Sequence, residues 1–343
     1  MITMLSKRRT FKILIWAHAI VAVLLLCGSV AQATGQGNKW VRLRYRFKAG
    51  QRLEYAINMT MSGDIGVSGA GAQESMPMNM KMKTNLRMDV SDVDREGTAT
   101  VKMTYDEINM DMQTMGESMN MRMNASGLKV YSGGMLLYDS ATETGGEDQF
   151  PMGQMFGIGG MPGGMQLTDL FGKGITAKIT KLGQTTMPGM QQMLPEGFMG
   201  VGGFEQMALP EKLMRPGDKW NTDLDIGGIM AVRAQNALQE IEEYQGKRCA
   251  KIVTKTEMDL SQLPMLMGQE QLQGLDLAMG GKGQAVAYWD IDRGQLLKQD
   301  GDLTFSMAGG GLVETEPQGP GSVPSAVDMK MSFKMKSAMV LKE

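Results

Sequence analysis

The alternation of apolar and polar residues is the feature that most restricts the fold of this chain. Between Trp40 and Tyr138, apolar side chains recur at every second position over long stretches, as in VRLRYRF at 41–47. A period of two is typical of strands with one buried face and one wet face. Turn-type residues at 48–51 and 92–97 separate these stretches. The sequence therefore predicts a mainly β protein of curved, half-barrel-like antiparallel sheets with few short helices.

Methionine occupies much of the apolar phase of these strands. The chain has 37 methionines among 343 residues, more than an ordinary core uses. The alternating methionines of the first half are Met59, Met61, Met76, Met78, Met80, Met82, Met88, Met103, Met110, Met112, Met119, Met121 and Met123. The simplest interpretation is that methionine replaces leucine and valine as core filler, because it adapts to irregular spaces.

A second interpretation is a binding surface for an apolar small molecule or lipid. Flexible thioether side chains suit promiscuous apolar surfaces. The candidate ligand-binding residues are Met78, Met80, Met82, Met121, Met155 and Met161. A third interpretation is sequestration of Cu(I), for which thioethers are soft ligands. The candidate metal ligands are Met76, Met78, Met80, Met119, Met121 and Met123.

Composition divides the chain into four segments. Residues 1–33 are predicted to be a signal peptide, and 34–149 an N-terminal antiparallel β unit. Residues 150–203 are a Gly/Met/Pro-rich insert or lid, in which many glycines disfavour regular structure. Residues 204–343 are a C-terminal β unit that opens with a predicted short helix at Phe204–Met214. The two β units are interpreted as related, because KAGQRL at 48–53 is echoed by RPGDKW at 215–220.

The first segment indicates export. A basic start, an apolar stretch at 11–26 and Ala31-Gln32-Ala33 predict cleavage before Thr34. The apolar stretch is shorter than the ~20 residues that a membrane-spanning helix needs. Acylation at Cys27 is the less favoured alternative. The predicted location is periplasmic or extracellular, with no membrane span after cleavage.

Export would remove His18, the only histidine, and leave Cys249 as the only cysteine. Catalysis by histidine, histidine zinc sites and intramolecular disulfides are then excluded. The net charge of −2 favours no nucleic-acid partner. The acidic turns at 92–97 and 290–294 lack the glutamate of a calcium loop, and no spacing singles out a catalytic carboxylate pair. We therefore expect a non-enzymatic protein without a cofactor, and a hydrolase is a distant alternative.

The second half resembles an exported bacterial family known only as a domain of unknown function. The resemblance rests on Leu209-Pro210, on Pro216-Gly217-Asp218-Lys219-Trp220, on Gly246 with Ala250-Lys251-Ile252, and on the hairpin Tyr288–Leu296 with Asp290 and Gly294. It implies export and a β-rich fold but no activity. The layout is also similar in fold to half-barrel carriers of the LolA type, which is an analogy of architecture alone.

Overall fold

The protein is represented by a computed structural model that describes residues 40–69, 72–114, 116–142, 171–186, 208–226, 230–259, 276–313 and 325–342. Met1–Val41 forms a unit separate from Arg42–Glu343, and the sheet belongs to the second unit. The predicted signal peptide, Cys27 and most of the predicted insert lie outside the described residues, as do Met155 and Met161.

The described part of the chain is all β, as the alternation predicts. Its strands are β1 (Arg52–Gly69), β2 (Ala72–Val93), β3 (Ala99–Thr114), β4 (Glu117–Asn124), β5 (Gly127–Ser132), β6 (Met135–Asp139), β7 (Ile175–Ile179), β8 (Thr185–Thr186), β9 (Lys219–Ile226), β10 (Met230–Tyr244), β11 (Lys247–Asp259), β12 (Asp276–Asp290), β13 (Gln295–Val313) and β14 (Ser325–Leu341).

All 14 strands belong to one antiparallel sheet, with the main order β6-β5-β4-β3-β2-β1-β14-β13-β12-β11-β10-β9. Consecutive strands mostly pair as hairpins, which confirms the predicted meander. The last strand, β14, lies between β1 and β13, so the first and last parts of the chain share this sheet. Over the described residues the path does not close, and β6 and β9 stand at its two ends. Strand β7, from within the predicted insert, pairs with β3.

The sequence predicted a short helix at Phe204–Met214. The structure describes residues 208–214 of this segment, and there the prediction is wrong because they contain no helix. The backbone N–H of Leu209 donates to the carbonyl of Leu182 at 2.8 Å, and Trp220 Nε1 donates to the carbonyl of Ala208 at 2.8 Å. Pro210 also disfavours helical geometry at the residue before it. The segment is therefore irregular, with a bend at 211–212, and it bonds to other parts of the chain instead of forming a helix.

One face of the sheet, here called the apolar face, carries the core at one end of the strands. Leu53 and Tyr55 of β1, Leu86 of β2, Trp289 of β12 and Leu296 of β13 are all buried at this core end. Along each of these strands, the residues of the same face become partly exposed toward the opposite end, here called the methionine end. The core is therefore concentrated at one end of a long sheet.

The predicted first strand contributes to this core without joining the sheet. Leu43, Tyr45 and Phe47 are buried while Arg42 and Arg46 are exposed, which matches the alternation. However, residues 42–48 form no strand ladder. The Tyr45 ring meets Trp289 edge-on at 4.5 Å between centroids, and the Tyr45 N–H donates to the carbonyl of Lys181 at 2.8 Å. The segment is thus an extended strip that packs its aromatic rings on the core end.

The two turns that echo each other in sequence share one hydrogen-bond pattern. Gly50 N–H donates to the Val90 carbonyl at 2.8 Å, and Val90 N–H donates to the Gln51 carbonyl at 2.9 Å. In the second half, Gly217 N–H donates to Leu238 at 2.8 Å, and Leu238 N–H donates to Asp218 at 3.0 Å. Both glycines have positive φ, 77° and 93°, a conformation that favours glycine. The β1–β2 and β9–β10 hairpins therefore begin with equivalent turns.

Candidate functional site

The predicted ligand-binding residues fall on two strands that do not touch each other. Met78, Met80 and Met82 lie on the apolar face of β2, and Met121 lies on β4. Strand β3 separates them and places Met110 and Met112 between the two groups. The predicted metal ligands divide in the same way, with Met76, Met78 and Met80 on β2 and Met119, Met121 and Met123 on β4. Neither predicted set is one contiguous cluster without the methionines of β3.

The strand register completes both sets into a grid of eight methionines on four neighbouring strands. In one row Met61 pairs with Met80, Met80 with Met112, and Met112 with Met119. In the next row Met59 pairs with Met82, Met82 with Met110, and Met110 with Met121. Directly paired residues of an antiparallel sheet project on the same side, with Cβ atoms about 5 Å apart. These eight residues, here called the methionine grid, span about 14 Å across the strands.

The apolar face continues beyond the grid onto β14, β13 and β12. Met335 pairs with Met61 and extends the first row, and Leu303 follows on β13. One row further along the strands, Phe333 pairs with both Gly63 and Phe305, and Phe305 pairs with Gly281. The next row brings together Met331, Met307 and Met279. The methionine end is therefore apolar across at least six neighbouring strands.

Two glycines give the phenylalanine rings of this face their space. A Cβ on Gly63 would collide with Phe333, and one on Gly281 would lie 3.1 Å from the ring of Phe305. Each ring thus leans over a glycine of the neighbouring strand, an arrangement known to support glycine in sheets. Glycine within a strand also permits close approach and bending.

The methionine grid divides into a packed part and a partly exposed part. Met121 is 4% exposed and belongs to a cluster with Met123, Leu128, Val130, Phe171 and Ile175. Met110 and Met119 pack against this cluster. The grid methionines of β1 and β2, together with Met112, are partly exposed. Their side chains are the part of the grid that a ligand can reach.

The opposite face of the same strands is polar. Thr60 and Lys81, which pair directly, are exposed, as are Asn79, Lys334 and Lys336. None of the apolar-face positions in the two grid rows carries an ionisable side chain. The sheet is therefore amphipathic at its methionine end, and anything bound on the apolar face meets neutral thioether and hydrocarbon groups.

In the acidic turns at 92–97 and 290–294, the Asp carboxylates accept hydrogen bonds from backbone N–H groups. Asp94 Oδ1 accepts the N–H groups of Glu96 and Thr98, both at 2.9 Å. Asp290 Oδ1 accepts those of Asp292 and Arg293, at 2.9 and 2.8 Å. These bonds are the ones expected of Asp in a turn. Among the described residues, no group of three or more His, Cys, Asp or Glu side chains is placed to hold a metal ion.

Cys249 has the character of a structural residue. Its side chain is buried, and burial together with the nearby Asp290 carboxylate raises the pKa of the thiol to about 11. The thiol is therefore protonated at neutral pH, and a thiol is a poor nucleophile and metal ligand compared with a thiolate. It lies on β11, four strands away from β1 in the sheet order.

An open cleft on the polar face brings two carboxylates near each other. Glu257 and Asp259 line it together with Arg233 and Lys282. Glu257 is exposed and pairs with Lys282 Nζ at 3.2 Å. An exposed, ion-paired carboxylate lacks the desolvated setting typical of a catalytic acid or base. The cleft therefore gives the hydrolase alternative little support.

Sequence reasoning placed all these methionines on apolar strand faces but left Met59, Met61, Met110 and Met112 out of the candidate site. The signal that could have found them is the length of each hairpin, since the turn position fixes which residues pair. Around the turn at 92–97, two bulges shift the register between β2 and β3, at Val90/Asp92 and Thr84/Leu86, and the second shift reverses the first. Met80 therefore pairs with Met112 in the register that Val93 and Ala99 set at the turn, and counting back from that turn would have found the pairing.

Comparison with known proteins gives no family. No model of a protein family matches the sequence, and no curated protein matches it. The resemblance of Leu209–Trp220 to an exported family therefore stays a prediction. Among the described residues, there is also no helix with the length and hydrophobicity that crossing a membrane requires.

Solved structures give distant similarity alone. Lipovitellin, studied for its lipid–protein interactions, is 10% identical with a TM-score of 0.39, over 87% of this chain and 25% of its own. The outer membrane protein OprG from Pseudomonas aeruginosa is 6% identical with a TM-score of 0.19, over 87% and 99% of the two chains. A DUF1329 family protein from Desulfovibrio piger is 11% identical with a TM-score of 0.12, over 80% and 84%. This chain thus spans a quarter of lipovitellin, and at such TM-scores the similarity does not extend to function.

Proposed function

We propose that this is an exported, non-enzymatic binding protein that holds an apolar ligand, such as a lipid, on the methionine end of its sheet. The observation that carries the proposal is the methionine grid, in which eight paired positions on four strands are all methionine. A ligand with hydrocarbon chains is the chemical class that such a neutral face recognises.

The choice of residue supports binding over plain packing. Where the apolar face is buried, at the core end, it uses mainly Leu, Val, Tyr and Trp, whose shapes are fixed, with Met88 and Met339 as its methionines. Where it is partly exposed, it uses methionine, whose three rotatable bonds and polarisable sulfur adapt to variable partners. If methionine were only core filler, we would expect it to be concentrated among the fully buried positions.

The size of the face also supports binding. Soluble monomeric proteins rarely expose contiguous apolar patches beyond a few hundred Å², and larger ones mark interaction sites. The grid alone covers about 14 Å by 7 Å between Cα positions, and with the rows of Phe333 and Met331 the apolar face from β2 to β12 extends to about 19 Å by 20 Å. This area is comparable with the footprint of a hydrocarbon chain.

The test compares the two faces of the same strands. Met61→Gln with Met80→Gln makes the apolar face polar without adding charge, and Thr60→Gln with Asn79→Gln makes the same number of changes on the exposed face. Losing about 1 kcal/mol of apolar contact at each methionine should weaken binding roughly tenfold or more. The control pair should bind as the unchanged protein does. The readout is the fluorescence of cis-parinaric acid titrated into the full-length protein.

Native mass spectrometry of protein purified without detergent provides an independent check. We expect a heterogeneous adduct of several hundred daltons on the unchanged protein and its loss from the Met61→Gln, Met80→Gln variant. If both pairs of variants bound the fluorescent fatty acid equally, the ligand site would lie elsewhere and the proposal would be wrong.

A further inference from the structure

The apolar face contains two rows in which three methionines are directly paired on three adjacent strands and are not packed into the buried cluster. The first row is Met61, Met80 and Met112 on β1, β2 and β3, with Met335 beside Met61 on β14. The second is Met279, Met307 and Met331 on β12, β13 and β14. All six side chains are partly exposed. Partial exposure leaves space on the open side of the sheet into which these side chains can turn.

The geometry of a row allows its sulfur atoms to converge. Cβ atoms of directly paired residues stand about 5 Å apart, and the two outer members of a row about 10 Å apart. Each methionine adds rotatable bonds between Cβ and sulfur, so the outer side chains can lean toward the middle one. Because the three residues come from three strands of one sheet, the backbone already holds them on the same side.

The donor set is selective. Thioethers are soft, uncharged ligands that need not lose a proton, and they suit Cu(I) among the biological metals. Hard cations such as Mg²⁺ and Ca²⁺ need oxygen ligands, and the paired positions of the two rows carry none. We propose that each row of three thioethers binds one soft monovalent cation, Cu(I) or its analogue Ag(I).

This site differs from one built along a single strand. Met76, Met78 and Met80 follow one another on β2 at a spacing of about 6.6 Å, which is wider than the spacing across the strands. The pairing across strands is therefore the better arrangement for a small ion. It also makes Met112 of β3 and Met61 of β1 ligands alongside Met80.

Leucine substitution separates metal binding from the binding of an apolar ligand. Leu matches Met in size and hydrophobicity but has no sulfur, and such exchanges usually cost less than about 1.5 kcal/mol each. One variant carries Met61→Leu, Met80→Leu and Met112→Leu, a second carries Met279→Leu, Met307→Leu and Met331→Leu, and a third carries all six. The matched control is Met88→Leu with Cys249→Ser, since both residues are buried.

The experiment titrates Cu(I) into full-length protein without oxygen, in competition with the chromogenic chelator bicinchoninate. We expect the number of ions bound per chain to fall by one in each triple variant and by two in the sixfold variant. The control should keep the full number. Binding of cis-parinaric acid should persist in all the leucine variants, so a failure here leaves the apolar-ligand proposal standing. An unchanged number in the sixfold variant would overturn the metal proposal.

A second measurement needs no variant. Protein labelled with ¹³C at its methionine methyl groups is titrated with Ag(I) and followed by NMR. We expect the methyl signals of the six row methionines, and of Met335 beside them, to shift, while that of the buried Met88 stays in place. Shifts confined to methionines outside the two rows would also overturn the proposal.

Discussion

Strand β2 passes through two different environments on the same face. Leu86, Met88 and Val90 at the core end are at most 2% exposed, whereas Met80 and Met82, a few residues earlier, are partly exposed. The core end is packed by the aromatic strip at 42–47, with Tyr45 against Trp289. Apart from Met88, the comparison indicates that residue choice follows how firmly the surroundings are fixed: residues of defined shape lie where the neighbours are set, and adaptable thioethers lie where they are not.

The largest expected effect comes from truncating matched positions at the two ends of β2. Leu86→Ala should lower the free energy of unfolding by about 2–5 kcal/mol, because it opens a cavity in close-packed surroundings. Met80→Ala should cost about 1 kcal/mol, since its partly exposed side chain loses less burial. Urea unfolding of each variant measures the difference. Equal losses would mean that the methionine end is as firmly packed as the core end.

The architecture could be predicted from the sequence to a large extent because its physical cause is local. Alternation in the runs at 53–61, 76–90 and 119–123 places β1, β2 and β4, and the glycines at 133–134 place the β5–β6 turn. Each of these features depends on residues close in sequence. The polar face and the apolar face follow directly from the same period of two.

The contacts between distant strands could not be predicted in this way. The pairing of β1 with β14 joins Met61 to Met335, which lie far apart in sequence, and no local pattern specifies it. Between β2 and β3, the bulges at Val90/Asp92 and Thr84/Leu86 shift the pairing of the residues that lie between them, and alternation alone does not place these bulges. Likewise, the alternation at 42–47 correctly indicated which side chains are buried, but the predicted strand is wrong, because the segment packs on the core end and forms no ladder with the described strands.

A smaller loss of stability is expected from a substitution beside Phe333 at the methionine end. Gly63→Ala would drive a Cβ into Phe333, so the ring or the strand must move. Overpacking of this kind typically costs about 1–3 kcal/mol. Gly280→Ala is the control, because its Cβ would have only the carbonyl of Met258 nearby, at 3.3 Å. The measurement is urea unfolding of both variants, together with cis-parinaric acid binding.

If Phe333 helps to shape the ligand surface, Gly63→Ala should weaken binding of the fatty acid as well as stability, while Gly280→Ala changes neither by much. A variant with lower stability and unchanged affinity would restrict the ligand to the grid itself. The Gly63→Ala and Gly280→Ala variants therefore show whether the ligand surface at the methionine end includes Phe333 or is limited to the methionine grid.

The smallest expected effect is a change of stability with pH that depends on Asp139 in the β5–β6 hairpin. Asp139 accepts the N–H of Ala141 at 3.0 Å and pairs with Lys129 Nζ at 3.1 Å, and these bonds hold the pKa of its carboxyl below the usual value. A lowered pKa in the folded state means that the stabilisation is fully present above the unfolded value of about 3.9 and is lost as the pH falls through the folded value. The stability difference between the unchanged protein and Asp139→Asn should therefore shrink below about pH 4.

The methionine grid has no group that titrates in this range, so the affinity for a neutral apolar probe should stay constant between pH 7 and pH 4 while the hairpin loosens. Amide exchange of Ser140, whose N–H donates to the Leu128 carbonyl at 3.0 Å, follows the hairpin. Titration of a neutral pyrene-labelled acylglycerol follows the grid. A fall in affinity that tracks the loss of amide protection would contradict this separation, because it would mean that the edge strands and the grid open as one cooperative unit. Constant affinity would identify the grid as a surface whose binding depends on hydrocarbon contact alone.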